Sequence, residues 1–218
     1  MSHTIHRAGN KGRAGCGCLL VILVIVMVVA GLGFHPVSLK YTARYFKYED
    51  RIFPADSILV PGFTEDKAGE LYVDAFREYF AGNAKVIYIE GARMLGKDNA
   101  DTVRRMAKER GIPEKAIKMI YPGTDMTTKT GIIKKKLKDA GMKKVIIVVP
   151  DYASRRYHGM YKPEDDQSGM VFMIKSTPVS YFRSDKWWRD EVSRALLARE
   201  TYKSLLYYYT VFRKDTKL

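Results

Sequence analysis

Residues 16–34 read CGCLLVILVIVMVVAGLGF, without a charge or a strongly polar side chain. No other feature constrains this chain as much. At about 1.5 Å of rise per residue, a helix over this run just crosses a hydrocarbon layer of roughly 30 Å. A secretory signal has a shorter apolar stretch, about 7–15 residues, ending in a small-x-small cleavage site. Here the basic start is present, but the run is longer and Ala30-Gly31-Leu32-Gly33 makes a poor cleavage site. The run is therefore read as an uncleaved signal anchor over 16–35. A basic tail over 1–15 precedes it; a connector over 36–54 and one domain over 55–218 follow. Arg7, Lys11 and Arg13 lie before the run, and Lys40, Arg44, Lys47 and Arg51 after it. The two sides nearly balance, but Glu49 and Asp50 dilute the far side. The positive-inside rule then puts the tail inside and the domain on the outer side of a cell membrane.

The net charge is +14, and only three of those charges precede the run. Such a surface attracts anionic lipid headgroups, anionic wall polymers or nucleic acid. No finger, helix-turn-helix or RNA-platform signature accompanies the charge, which disfavours nucleic acid. Cys16 and Cys18 are the only cysteines, so the domain has none and needs no disulfide framework. The aromatic and basic connector, with Tyr41, Tyr45, Phe46, Tyr48 and Phe53, suits a headgroup region or packing on the domain.

From Ser57 onward strand and helix patterns alternate. Strands are expected at 57–60, 85–90, 116–121, 144–149 and 169–175. Helices are expected at 69–81, 99–110, 128–140 and 186–212, and 151–161 reads as a looser segment. Apolar β-branched runs such as KVIIVV, without polar alternation, fit strands buried on both faces. Alternating units of this length predict a Rossmann-like, doubly wound, mainly parallel five-stranded sheet. In the order 3-2-1-4-5, the loops after the first and fourth strands flank the crevice where open sheets bind ligands.

The strand ends supply the candidate ligand-binding residues: Gly62 and Thr64, Glu90 and Gly91, Thr124 and Thr127, then Asp151, Tyr152 and Arg156. Hydroxyls, helix-start N–H groups and arginine converging at one end of a sheet suit a phosphate or carboxylate. Each has a structural alternative: Pro61-Gly62 as a turn, Thr127 and Asp151 as helix caps, Arg155-Arg156 as surface charge. Asp151 and Arg156 are the candidates for catalysis. No glycine-rich dinucleotide or P-loop motif and no nucleophile elbow occurs, so the cofactor stays open. His3, His6, His35 and His158 show no metal-ligand spacing. The C-terminal helix has an aromatic face that packs on the sheet or touches a membrane surface.

The order of several short motifs resembles the SanA/ElyC/YdcF-like family of bacterial proteins. They are Ala55-Asp56-Ser57-Ile58-Leu59-Val60-Pro61-Gly62, Gly111-Ile112-Pro113, Thr124-x-x-Thr127, Val148-Val149-Pro150-Asp151-Tyr152 with Arg156, and Arg199-Glu200-Thr201-Tyr202-Lys203. The resemblance covers about residues 55–210. It implies a Rossmann-like domain behind a membrane helix, acting in cell-wall or surface-polysaccharide biogenesis, with no settled reaction. The chain departs from the family at Ala153, where a histidine is usual, at Lys129 and at Glu70. These departures leave a non-catalytic scaffold or interaction domain open beside a transferase or hydrolase. The expected partners are a membrane and an anionic small molecule or lipid-linked wall precursor.

Overall fold

The computed structural model describes residues 13–33, 35–91, 93–94, 97–123, 126–163 and 169–215. The chain divides into two compact units, Met1–Thr42 and Ala43–Leu218. In the first, α1 (Arg13–Gly33) exposes its apolar side chains along 21–28. The anchor expected as one helix over 16–35 ends at Gly33, and the chain restarts as α2 (Pro36–Phe46). Pro36 is pre-set for a first helical position and cannot continue the helix before it. No single helix among the described residues is long and apolar enough to cross a membrane. Val21–Gly33 and Pro36–Phe46 meet that test only as a pair, bent by 62°.

The second unit is built on a five-stranded, wholly parallel sheet. Its strands are β1 (Ser57–Val60), β2 (Ile87–Glu90), β3 (Ile117–Ile120), β4 (Lys144–Pro150) and β5 (Val171–Thr177). The order is β3-β2-β1-β4-β5, so the winding reverses between β1 and β4. Every residue of β1 and β2 is buried, as are 145–150 of β4, so both faces of the sheet centre are covered. That is why these segments read as unbroken apolar runs. The crossovers carry α3 (Glu70–Phe80), α4 (Ala100–Glu109) and α5 (Met126–Asp139). Two-residue segments, Arg93–Met94 and Lys97–Asp98, pair antiparallel beyond β2.

The segment expected to be loose is ordered. Asp151–Ala153 makes one 3-10 turn and leads directly into α6 (Ser154–Tyr161). α7 (Glu191–Asp215) closes the chain, later than the expected start at 186, because Trp187–Arg189 forms a separate 3-10 turn. Of the connector's two expected settings, residues 43–50 take the one against the domain. Ala43 and Phe46 are buried, the Tyr48 N–H donates to Ser154 Oγ at 2.7 Å, and the Asp50 N–H donates to the Ile174 carbonyl at 2.9 Å.

Candidate functional site

A cleft of ≈ 170 Å³ opens at the carboxyl ends of the strands. The loop after β1 supplies Gly62, Phe63, Thr64 and Glu65, and the end of β2 supplies Glu90. α5 supplies Lys129 and Thr130; α6 supplies Arg156, Tyr157, Met160 and Tyr161; α7 adds Lys203. Sites that engulf a drug-sized ligand run to roughly 300–1,000 Å³. This one suits a compact group instead.

The loop after β1 is held in place by Asp66. Its carboxylate accepts the N–H groups of Glu70 at 2.8 Å and Leu71 at 3.0 Å, the orphan donors of the first turn of α3. Glu90 ties the loop to the sheet. One oxygen accepts the Gly62 N–H at 3.0 Å, and the other meets the Lys129 ammonium. Gly91 follows at a close approach: a Cβ there would fall 2.1 Å from the Tyr121 ring. Phe63 and Tyr157 pack at 5.5 Å between ring centroids, and Tyr157 stacks on Tyr161 at 6.1 Å, which gives the cleft an aromatic wall.

Most of the charge in the cleft is already paired. Arg156 is 4% exposed and Glu200 2%. They form a bidentate pair, Nε to Oε1 at 2.5 Å and Nη2 to Oε2 at 3.0 Å. The guanidinium of Arg156 also lies 4.9 Å from the Tyr157 ring centroid. Arg199 bonds Glu65 at 2.6 Å. Although burial pushes the Glu65 carboxyl up, its own backbone N–H and Arg199 hold it below the usual range. Lys203 differs: half-buried, it makes no hydrogen bond or ion pair among the described residues. Burial first, and then the neighbouring Arg156 cation, push its pKa down from the ordinary lysine value, against the opposing pull of Glu65 and Glu200. An ammonium disfavoured in this way gains most from an added anion.

The expected site residues divide into groups. Gly62, Thr64, Glu90 and Arg156 line the cleft; Gly91 adjoins it without lining it. Thr127 sits in the first turn of α5, and Thr124 lies outside the described residues. Tyr152 turns toward Phe182, 4.9 Å between ring centroids. Asp151 is buried but does not line the cleft; its Oδ1 has no partner, and burial pushes its carboxyl up to about 6. His158 packs against Tyr48 at 3.9 Å, also outside the cleft. Among the described residues, no histidine, cysteine, serine or aspartate lines the cleft, and no group of three metal-ligating side chains forms.

Lys203, Glu65, Tyr157 and Tyr161 are not among the site residues expected from the sequence, although Lys203 ends the closing motif that carries the family resemblance. The i,i+4 pair Tyr157 and Tyr161, with Arg156 and Met160 beside it, was the available signal for α6. For Lys203 the signal was its place in that closing motif; its approach to the strand ends depends on the return of α7. The chain matches no family model, no curated protein and no solved structure.

Proposed function

We propose that this chain is a membrane-anchored bacterial envelope protein that binds a compact anion in the strand-end cleft. The anion is a phosphate or carboxylate, free or as the head of a lipid- or nucleotide-linked wall precursor. The role is in cell-wall or surface-polysaccharide biogenesis, as the resemblance to the SanA/ElyC/YdcF-like family implies. The observation that carries the ligand class is Lys203, a half-buried ammonium that feels Glu65 and Glu200 but makes no hydrogen bond or ion pair among the described residues, lining a cleft beside Lys129 and Arg156. Support for anchoring is the uncharged run 16–34, together with a bent helix pair that passes the length and composition test for a span only when its two helices are taken together.

A second reading, a scaffold without catalysis, is favoured by Arg156. Its fork is filled by Glu200, which makes it a structural cation. A transferase or hydrolase using Asp151 with Arg156 draws no support from the arrangement, because Asp151 does not line the cleft.

Titration of the full chain in detergent with inorganic phosphate and with pyrophosphate tests the binding reading. Saturation to about 100 times the dissociation constant should raise the unfolding free energy by about 2.7 kcal/mol. Lys203→Ala should weaken binding about tenfold or more, about 1.4 kcal/mol. Stabilisation that survives Lys203→Ala unchanged, or is absent from the parent chain, overturns this reading and leaves the scaffold.

A further inference from the structure

The outward face of α7 carries the wrong polarity for a helix that ends in water. Its packed side is Ser193, Leu196, Leu197 and Glu200, all buried. The opposite side of such a helix is ordinarily polar. Here it presents Ala195, Ala198, Tyr202, Leu205, Leu206 and Tyr209, all exposed. Tyr202 is 62% exposed, Leu205 64% and Tyr209 61%. The spacing of 195, 198, 202, 205 and 209 repeats in threes and fours, so these side chains form one stripe along the helix. From Ala195 to Tyr209 it runs about 20 Å.

Charge decides what covers that stripe. Between its terminal residues Glu191 and Asp215, the only carboxylate of α7 is Glu200, and it is buried against Arg156. Arg194, Arg199, Lys203, Arg213 and Lys214 are the cations of the same stretch. A second copy of this helix would bring like charges together along the seam. An anionic bilayer surface would meet cations at its headgroups and tyrosines at the depth where they accumulate, with the leucines below.

We infer that the outer face of α7 is a lipid-contact surface, which lies in the interface of a membrane carrying anionic lipids. The contact is reversible and salt-sensitive, unlike a spanning segment.

The cysteine-free domain makes a direct test possible. In a C16S/C18S full chain, Leu205→Cys carries an environment-sensitive fluorophore, and Glu109→Cys, exposed at the end of α4, is the control. The protein is reconstituted into phosphatidylcholine vesicles with and without phosphatidylglycerol. The expected result is a blue shift and quenching by shallow spin-labelled lipid at position 205, stronger with phosphatidylglycerol and reduced by high salt, with little change at 109. Tyr209→Glu in the labelled chain should abolish the shift while leaving the circular dichroism spectrum intact. A 205 signal equal to the 109 control overturns the inference. So does efficient 205–205 disulfide cross-linking in the unlabelled chain without anionic lipid, which would assign the stripe to a second copy. Neither outcome bears on phosphate binding in the cleft, which is read separately.

Discussion

Asp151 shows how a residue chosen for chemistry can turn out to be a stability problem. It follows the last residue of β4 at the carboxyl end of the sheet, where open α/β sheets place functional groups. Yet its side chain is buried, Oδ1 is unpartnered, and burial raises its pKa to about 6 despite the N–H of Tyr152 and the nearby Lys47. The folded state therefore binds the proton more tightly than the unfolded chain. Between about pH 4 and pH 6 the unfolded carboxyl gives up its proton first, so Asp151's contribution lowers stability as pH rises. Above that window charging it inside the fold costs about 3 kcal/mol. Asp151→Asn should gain stability of that order relative to the parent at pH 7–8 and almost none near pH 4. Paired urea melts across that range read the difference directly. A difference that does not grow with pH would mean the carboxyl is solvated. Arg156 and Glu200 illustrate the opposite resolution: two buried charges, each satisfied by the other. Removing one member of such a pair typically costs several kcal/mol, while replacing both can be nearly neutral.

Among the elements, the strap over 45–50, within the second unit, guards one edge of its sheet. β5 is an edge strand, and edges with free backbone groups invite pairing with other chains. Asp50 blunts this one. Its N–H donates to the Ile174 carbonyl at 2.9 Å, and its Oδ2 accepts the Ile174 N–H at 2.8 Å. Oδ1 accepts from Lys162 at 2.9 Å and from the Tyr48 hydroxyl at 3.0 Å. Arg155 adds bonds to the carbonyls of Tyr45 and Lys47. Burial pulls the Asp50 carboxyl up, but the Ile174 N–H, Lys162 and Tyr48 together hold it below its ordinary value. Its stabilisation is therefore complete above the usual carboxylate range, roughly pH 4, and is lost as pH falls through the lower folded value. Asp50→Asn at neutral pH should speed amide exchange at Ile174 and Tyr48 about tenfold, the loss of a hydrogen bond to a charged group. Exchange in β1 and β4 should not change. If those core amides accelerate equally, the strap is part of the global fold rather than a separate latch. The sequence made β1 to β5 legible, and with them the sheet order, because buried parallel strands leave apolar runs bounded by Pro and Gly. It hid α6, which is short, starts within one turn of a strand and carries Arg155 and Arg156 where a loop was expected. It hid the strap as well, because polar bonds to Asp50 leave no periodic signal. Of the cleft, Gly62, Thr64, Glu90 and Arg156 were found from strand ends, whereas Lys203, though part of a short motif, reaches the cleft only through a long-range return of α7 that the motif does not encode.

At the scale of the whole molecule, the buried hydrophobic residues among those described begin at Ala43 and end at Leu197, all in the second unit. The described apolar side chains of α1 are instead exposed. A core confined to one unit means the domain does not need the first to fold, whereas an uncovered apolar helix needs some nonaqueous surroundings. The fragment Ala43–Leu218 should thus be soluble without detergent and melt cooperatively within a few degrees of the full chain in micelles, since none of the described buried side chains is lost. The full chain should partition into membranes and resist alkaline carbonate, as an inserted helix does and a charge-held surface contact does not. The two attachments are then separable. High salt should release any binding of Ala43–Leu218 to anionic vesicles, because that contact runs through Arg and Lys within a Debye length of the surface. It should leave the full chain in place. A full chain washed off by carbonate would refute the anchor and leave α7 as the sole lipid contact. A fragment that aggregates or melts without cooperativity would show instead that the first unit contributes to the fold of the second.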